Sequence, residues 1–409
     1  MALSARREDM LHVLESLGME LPSSTKMSEE RLKSKISKAL DYAQLFSKRL
    51  PSSTLEVASL DTWKGQLGRA FHPGNAMEGM RMFQVFQSTG EAPSQEKNIL
   101  LNLRETLSAM GQIQDAGEAV LMIKDADEQS VILVRILDVF ELNAKTPVMI
   151  LLYDRTLPGE SKSSNFEFVA ASPAERMAVV VMSIPSQRLL LRLLSLNSHR
   201  IASSYKPIRQ PYEKDYQLSF VMPTGPLSMR DLGTLNEEKG CELCGKHATK
   251  KCTGCESVTY CSKACQAEAW PLHKQTCKDL SQGTWTTMRF LTGAEALPLA
   301  GERNINRFSR FDDVDEETTL PIGPPQNVHG GKRFVVKIQV NMGSSRVYDR
   351  RLSLDFFLSA QRDPVNYMKL CIAAGTGFKG LKCYRWAKRV SDWELSICLD
   401  RPLPQDPKW

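Results

Sequence analysis

Apolar positions recur along this chain with two different periods, and the places where the period changes divide it. The first fifty residues follow a helical period. Ser28 stands as an N-cap with Glu29 and Glu30 in the first turn. Leu32, Ile36, Ala39, Leu40, Ala43 and Phe46 then share one face, with Lys33 and Lys38 off it, which predicts a packing helix. Residues 51–98 are weakly patterned, with turn signals at Pro51, Gly65, His72-Pro73-Gly74 and Gly90. From Asn102 a short helical stretch gives way to strand-like sequence. Residues 119–124 and 131–142 flank a polar segment, 125–129, and predict a hairpin; 148–153 and 177–184 predict further strands. Residues 187–196 fit helix or strand equally, because a short apolar run does not separate the two.

Four prolines, Pro207, Pro211, Pro223 and Pro226, mark 205–240 as a linker. A second linker, acidic and then proline-rich, is predicted at Phe311-Asp-Asp-Val-Asp-Glu-Glu and Pro321-Ile-Gly-Pro-Pro. Strands are expected beyond it at 334–340, 352–358, 365–373, 381–386 and 393–399. The whole reads as a multi-domain α+β chain. Its parts are a helical segment 1–50, an α+β domain 100–204, the linker 205–240, a small Cys-rich module 241–277 and a β-rich domain 330–409. Asp-Arg-x-Leu recurs at Asp154, Asp349 and Asp400, an echo to which no function attaches.

Composition excludes several classes. The 409 residues are 42% hydrophobic and 24% charged, ordinary for a globular protein and unlike a coiled-coil, collagenous or disordered chain. The formal net charge is +6 over the full length, too dilute to indicate a nucleic-acid partner. Apolar runs stay well short of membrane-spanning length, and acidic residues at Glu8, Asp9, Glu15 and Glu20 fit neither a secretory signal nor a transit peptide. Cytoplasm or nucleus is the expected location, with no membrane partner.

The cysteines change the picture. Seven of the ten fall between Cys241 and Cys277. The order is Cys241-x2-Cys244-x7-Cys252-x2-Cys255-x5-Cys261-x3-Cys265-x7-His273-x3-Cys277, eight ligands of the kind zinc takes. Cys-x2-Cys pairs suit tight knuckles, with Gly245 and Gly254 close by, while Cys261/Cys265 and His273/Cys277 are i,i+4 pairs that share a helix face. Eight ligands close two tetrahedral sites, so His247 reads as a surface residue. Spacing alone leaves open whether the sites are sequential or interleaved. Cys371, Cys383 and Cys398 sit in strand-like apolar sequence and read as small buried hydrophobes.

These ligands, with Tyr260-Cys261-Ser262 and Cys265-Gln266-x3-Trp270-x2-His273-Lys274-x2-Cys277, resemble a MYND-type zinc finger. The resemblance implies a cross-brace with two Zn²⁺ per chain. Cys241, Cys244, Cys261 and Cys265 would hold one ion, and Cys252, Cys255, His273 and Cys277 the other. Only Leu243, Val258, Tyr260, Trp270 and Leu272 remain to build a core, so metal must supply the folding energy. Such fingers are interaction modules, several of which dock short proline-containing peptides. The matching groove positions are Thr253, Gln266 and Trp270, with Thr253 in place of a serine. Shorter stretches, Leu17-Gly-Met-Glu-Leu-Pro, Leu40-Asp-Tyr-Ala-Gln and Thr146-Pro-Val-Met, resemble MYND-containing proteins of basidiomycete fungi and bring no catalytic residues.

The sequence completes none of the enzyme signatures it touches. A SET-type lysine methyltransferase would carry an Asn-His motif and a Cys-rich site after its catalytic domain; here the nearest match is Asn197-Ser-His199, and Cys371, Cys383 and Cys398 are widely spaced. Gly375-Thr-Gly377-Phe-Lys-Gly380 fits a dinucleotide fingerprint in letters, yet strand-like sequence follows it where a helix is required. The lysines of the module, interspersed with Glu242, Glu256, Glu268 and Asp279, read as solvated surface rather than a nucleic-acid face. The expectation is therefore a non-enzymatic zinc-binding adaptor or regulatory protein that docks a proline-containing peptide of a partner. The alternative is a divergent SET-type methyltransferase in the flanks. Seven ligating thiolates and two Zn²⁺ would lower the net charge to about +3.

Overall fold

Two long strands and two long helices organise the first half of the chain. The fold is described from a computed structural model, over residues 7–19, 21, 25–72, 87, 98–156, 167–168, 170, 177–237, 240–296, 323–403 and 406–407. The predicted hairpin is present: β2 (Val120–Lys124) and β3 (Val131–Asn143) pair antiparallel around a turn in which the Asp125 carboxylate accepts from the Ser130 amide at 2.6 Å. The chain returns along β4 (Thr146–Thr156), almost wholly buried. With β1 (Asp61–Thr62), β5 (Ala178–Val181) and β6 (Gln217–Val221), these strands complete a sheet ordered β5-β2-β3-β4-β6, with β1 on β3. Helices Ile99–Asp115 and Ile184–Ser198 pack on one another, and the second lies on β6. The ambiguous run 187–196 is thus helical, and Pro185 in its first turn is the start signal.

The segment 205–240, read as a linker, contains the edge strand β6 and a helix, Met229–Glu237. Its prolines bracket the strand instead of abolishing it, which an edge position permits.

In the second half, the two-stranded β7 (Lys250–Lys251) and β8 (Thr259–Tyr260) precede a helix, Lys263–Gln282. A six-stranded antiparallel sheet then runs β12-β11-β10-β13-β14-β9, built from β9 (Trp285–Arg289), β10 (Phe334–Asn341), β11 (Ser344–Asp349), β12 (Asp355–Ser359), β13 (Lys382–Ser391) and β14 (Glu394–Cys398). Strict alternation along β10 buries Phe334, Val336, Ile338 and Val340 against Phe356, Leu358, Leu395 and Ile397. Cys383 and Cys398 are buried as expected, and burial pushes both thiols up to about 11; Cys371 is half-buried.

Residues 365–373, expected as a strand, form the helix Pro364–Gly375. Asp363 caps it by accepting from the Asn366 amide at 3.0 Å, and Pro364 opens the first turn. Those start signals outweigh a short apolar run that fits either state. The glycine motif 375–380 consequently follows a helix and enters β13, the reverse of a dinucleotide site. At Gly377 a Cβ would lie 2.0 Å from the Lys382 carbonyl oxygen, so this glycine serves close chain approach. The acidic part of the predicted linker at 311–325 lies outside the described residues.

By internal contacts the chain divides into two units, one of Met1–Leu17, Lys33–Leu227 and Ile305–Asp315, the other of Gly18–Leu32, Ser228–Asn304 and Glu316–Trp409. The cysteine module and the second sheet belong to the latter. Among the described residues no helix is long and apolar enough to cross a membrane.

Candidate metal centre

Two knuckles and one helix place the eight ligands. The first knuckle closes through the Gly245 amide on the Cys241 carbonyl and the Cys241 amide on the Lys246 carbonyl, both at 2.8 Å, with Gly245 at φ +68. The second closes through the Glu256 amide on the Cys252 carbonyl at 2.8 Å. At Gly254 a Cβ would stand 2.9 Å from the Cys277 sulfur, so only glycine leaves room beside that ligand. Ser262 caps the helix by accepting from the Cys265 amide at 3.1 Å, fixing the first turn that carries Cys265.

Ligand atoms converge in two groups, each within 4.8 Å: Cys241, Cys244, Cys261 and Cys265, and Cys252, Cys255, His273 and Cys277. The interleaved pairing left open by spacing is the one present. In the first group Cys244, Cys261 and Cys265 are separated by 3.6, 3.6 and 3.9 Å between sulfurs. In the second, Cys252 and Cys277 lie 3.7 Å apart and Cys255 lies 3.3 Å from His273 Nε2. A tetrahedral zinc–thiolate site has ligand edges of about 3.8 Å, given Zn–S bonds of about 2.3 Å. Both groups therefore fit a zinc ion. Their thiols are shifted in both directions: burial raises Cys241, but backbone hydrogen bonds outweigh it and bring that thiol down to about 7. Hydrogen bonding to Cys244 and Cys265 pushes the Cys261 thiol up to about 12, and burial with the neighbouring Cys252 does the same at Cys277. Sulfurs packed this tightly repel one another as anions, and a divalent cation at their centre removes that penalty.

The eight ligands leave no open position for water, so the sites are structural. The second is the more enclosed, with all four ligands buried, whereas three of the first four are only half-buried.

Residues 241–277 match the MYND finger family. This chain carries a MYND finger. A stretch of it is 56% identical over 79 residues to ubiquitin carboxyl-terminal hydrolase 19 of Arabidopsis thaliana, covering 19% of this chain and 12% of that protein. Another match is 36% identical over 67 residues to SET domain and MYND-type zinc finger protein 6 of Schizosaccharomyces pombe, 14% of each chain. A third is 31% identical over 90 residues to the zinc finger MYND domain-containing protein 10 homolog of Drosophila melanogaster, 20% of each. This chain thus matches at most a fifth of the length of these relatives, and the enzymes among them match at the MYND region alone. No solved structure matches the chain.

The core of the finger departs from expectation. Leu243 and Tyr260 are buried and Val258 is half-buried, but Trp270 is 41% exposed and Leu272 66% exposed. Their places are taken by Ala269 and Leu280 of the helix and by Trp285 of β9 and Trp386 of β13, which pack on the finger from the second sheet. Arg333 reinforces that contact: its guanidinium lies 4.3 Å from the Trp285 ring centroid and donates to the Leu280 carbonyl at 3.0 Å. Lys388 of β13 pairs with Glu256 at 2.7 Å. A strap from the N-terminal region also joins. The Lys26 amide donates to the Leu243 carbonyl at 2.8 Å, Arg31 donates to the Gly245 carbonyl, and the Lys26 ammonium pairs with Glu268. No local sequence signal marks the contacts of Trp386, Arg333, Lys388, Lys26 and Arg31 with the finger, because each joins residues far apart in the chain.

Of the three groove positions, Thr253 and Trp270 are exposed and Gln266 is half-buried. Gln266 and Trp270 are one helical turn apart on the same face, and the Trp270 ring meets His273 edge-on with centroids 6.0 Å apart. Thr253 follows Cys252 of that same second zinc site. His247 is exposed and outside both ligand groups. Elsewhere, an open depression is lined by Gln66, Arg69, His72, Gln112 and Asp115, but the Asp115 carboxylate already accepts from the Leu67 and Gly68 amides at 2.9 and 2.8 Å.

Proposed function

We propose that this protein is a non-enzymatic adaptor or regulator whose MYND finger docks a proline-containing peptide of a partner protein on the face formed by Trp270, Gln266 and Thr253. The finger itself is a protein-interaction module with two zinc sites. The observation that carries the finer reading is the exposure of Trp270, a large flat ring that the finger's core does not use. A proline ring packs on such a face with little entropy to lose, and the Gln266 carboxamide, which makes no hydrogen bond among the described residues, offers both a donor and an acceptor to peptide backbone. Zinc in this reading has no chemical step; it holds Cys252, Cys255, His273 and Cys277 so that Trp270 and Thr253 stay in register.

The test is binding of a labelled proline-containing peptide to the zinc-loaded full chain, read by fluorescence anisotropy. Trp270→Ala should weaken binding at least about tenfold, the scale of an aromatic anchor, while metal analysis still finds two zinc ions per chain. Equal binding by the variant, or none by the wild type, would overturn the reading.

A further inference from the structure

In one dimension the finger's lysines and acids alternate, and that alternation argued for a merely solvated surface. In three dimensions they separate. Successive residues of a helix are about 100° apart, so along Lys263–Gln282 the residues Lys263, Gln266 and Lys274 lie within about 40° of Trp270, and Lys278 within about 80°. By the same measure Glu268 and Asp279 lie about 160–180° away, on the opposite side.

Two of the acids, Glu268 and Glu256, are also paired from outside the finger. Glu268 pairs with Lys26 of the strap. Glu256 is paired by Lys388 of β13 at 2.7 Å. Asp279 accepts from Gln275 at 2.9 Å, on its own side of the helix. Lys263, Lys274 and Lys278 have no acidic partner among the described residues, and all three are exposed. Lys250 and Lys251, exposed on β7, lie two or three residues before Thr253 in sequence. The Trp270 face is therefore bordered by exposed helix lysines without acidic partners among the described residues, while Glu256 and Glu268 are paired and Asp279 lies on the far side of the helix.

We infer that the peptide taken by this finger is acidic, with Asp or Glu residues flanking its proline. The inference rests on the proline-docking reading and adds the charge of the ligand to it. Apolar contact with Trp270 supplies the anchor; the lysines supply attraction to carboxylates on either side and reject basic sequences. Exposed pairs of this kind are individually weak and screened by salt, so the preference should be moderate and should shrink as ionic strength rises.

The experiment uses the zinc-loaded full chain and three labelled peptides with the same proline-containing centre, flanked by Asp/Glu, by Ser, or by Lys/Arg. The acidic peptide should bind about three- to tenfold more tightly than the serine-flanked one, the sum of a few exposed ion pairs, and the basic peptide more weakly than both. The double variant Lys263→Glu, Lys274→Glu should reverse that order while holding two zinc ions and still binding the serine-flanked peptide. The milder Lys263→Gln, Lys274→Gln pair should abolish the preference without reversing it. Equal affinity for the acidic and neutral peptides, or a preference untouched by either variant, overturns the inference and leaves proline docking standing. Failure of all three peptides overturns the docking reading and this inference with it. Tighter binding of a single-stranded oligonucleotide than of the acidic peptide assigns the lysine face to nucleic acid and overturns the inference as well.

Discussion

The finger and the six-stranded sheet beside it belong to one unit but are held together by different means. The sheet is an ordinary apolar core: Val336, Ile338, Val347, Leu395 and Ile397 are fully buried, and the helix Pro364–Gly375 covers them with Leu370, Ala373 and Ala374. The finger buries little besides Leu243, Tyr260, Ala269, Leu280 and its own cysteines. A module so poor in apolar surface cannot offset its chain entropy unaided, and metal takes the place of the missing core. The difference shows in what each part leaves exposed. The finger can present Trp270 to solvent because its stability does not depend on burying it.

That contrast is broken most severely by removing zinc. Chelation at neutral pH, or Cys252→Ser, should unfold the finger, since structural zinc contributes on the order of 10–16 kcal/mol of apparent folding free energy in isolated fingers. Metal analysis of the wild type should find two zinc ions per chain, and a value near one would refute the two-site arrangement. The sheet should stay folded but melt at a lower temperature, because Trp285 and Trp386 lose the surface they pack on. An unchanged sheet transition would show that this shared contact contributes nothing.

The reverse perturbation is smaller. Ile338→Ala opens a cavity in the fully buried centre of the sheet and should destabilise it by about 2–5 kcal/mol, read from chemical denaturation. Zinc content should remain at two, and loss of metal would mean that the finger depends on the sheet as strongly as on its ligands.

The smallest effect concerns pH. Asp349, fully buried at the end of β11, is raised by burial but held below the usual carboxylate range by stronger opposing contacts. His329 Nε2 lies at 2.8 Å, Ser353 Oγ donates at 2.6 Å, and the Leu354 amide donates at 3.1 Å. A carboxyl depressed on folding stabilises the native state above its unfolded value near pH 4 and loses that contribution as pH falls through the lower folded value. Asp349→Asn should therefore flatten the melting temperature of the sheet between about pH 5 and pH 2 relative to wild type. A wild-type slope retained by the variant would place the acid sensitivity elsewhere.

Much of the finger was legible from its sequence because ligand type and spacing are covalently short-range facts. A Cys-x2-Cys knuckle or an i,i+4 ligand pair needs no knowledge of the rest of the chain. β10 and β14 were legible because alternation reports burial directly, and β4 because a short continuous apolar run marks a strand buried on both faces. The helix Pro364–Gly375 differs from the expected strand because seven apolar residues in nine fit either state, while its real signals, Asp363 and Pro364, sit just outside the run. The core of the finger was misassigned for another reason. Trp270 and Leu272 lie on the ligand-bearing helix but face solvent, whereas Trp285 and Trp386, which do pack there, come from strands of the sheet.

By itself, then, the sequence determined that this chain carries two interleavable sets of zinc ligands and several strands, both consequences of local spacing and apolar pattern. Tertiary structure decided which ligands share an ion, that Trp270 faces solvent, and that Lys26 and Lys388 neutralise Glu268 and Glu256. Those outcomes depend on residues brought together across two hundred positions or more in the case of Lys26, and on which side of one helix each charge falls. Neither is written in the order of residues around the finger, because burial and Coulomb energy depend on distance in space.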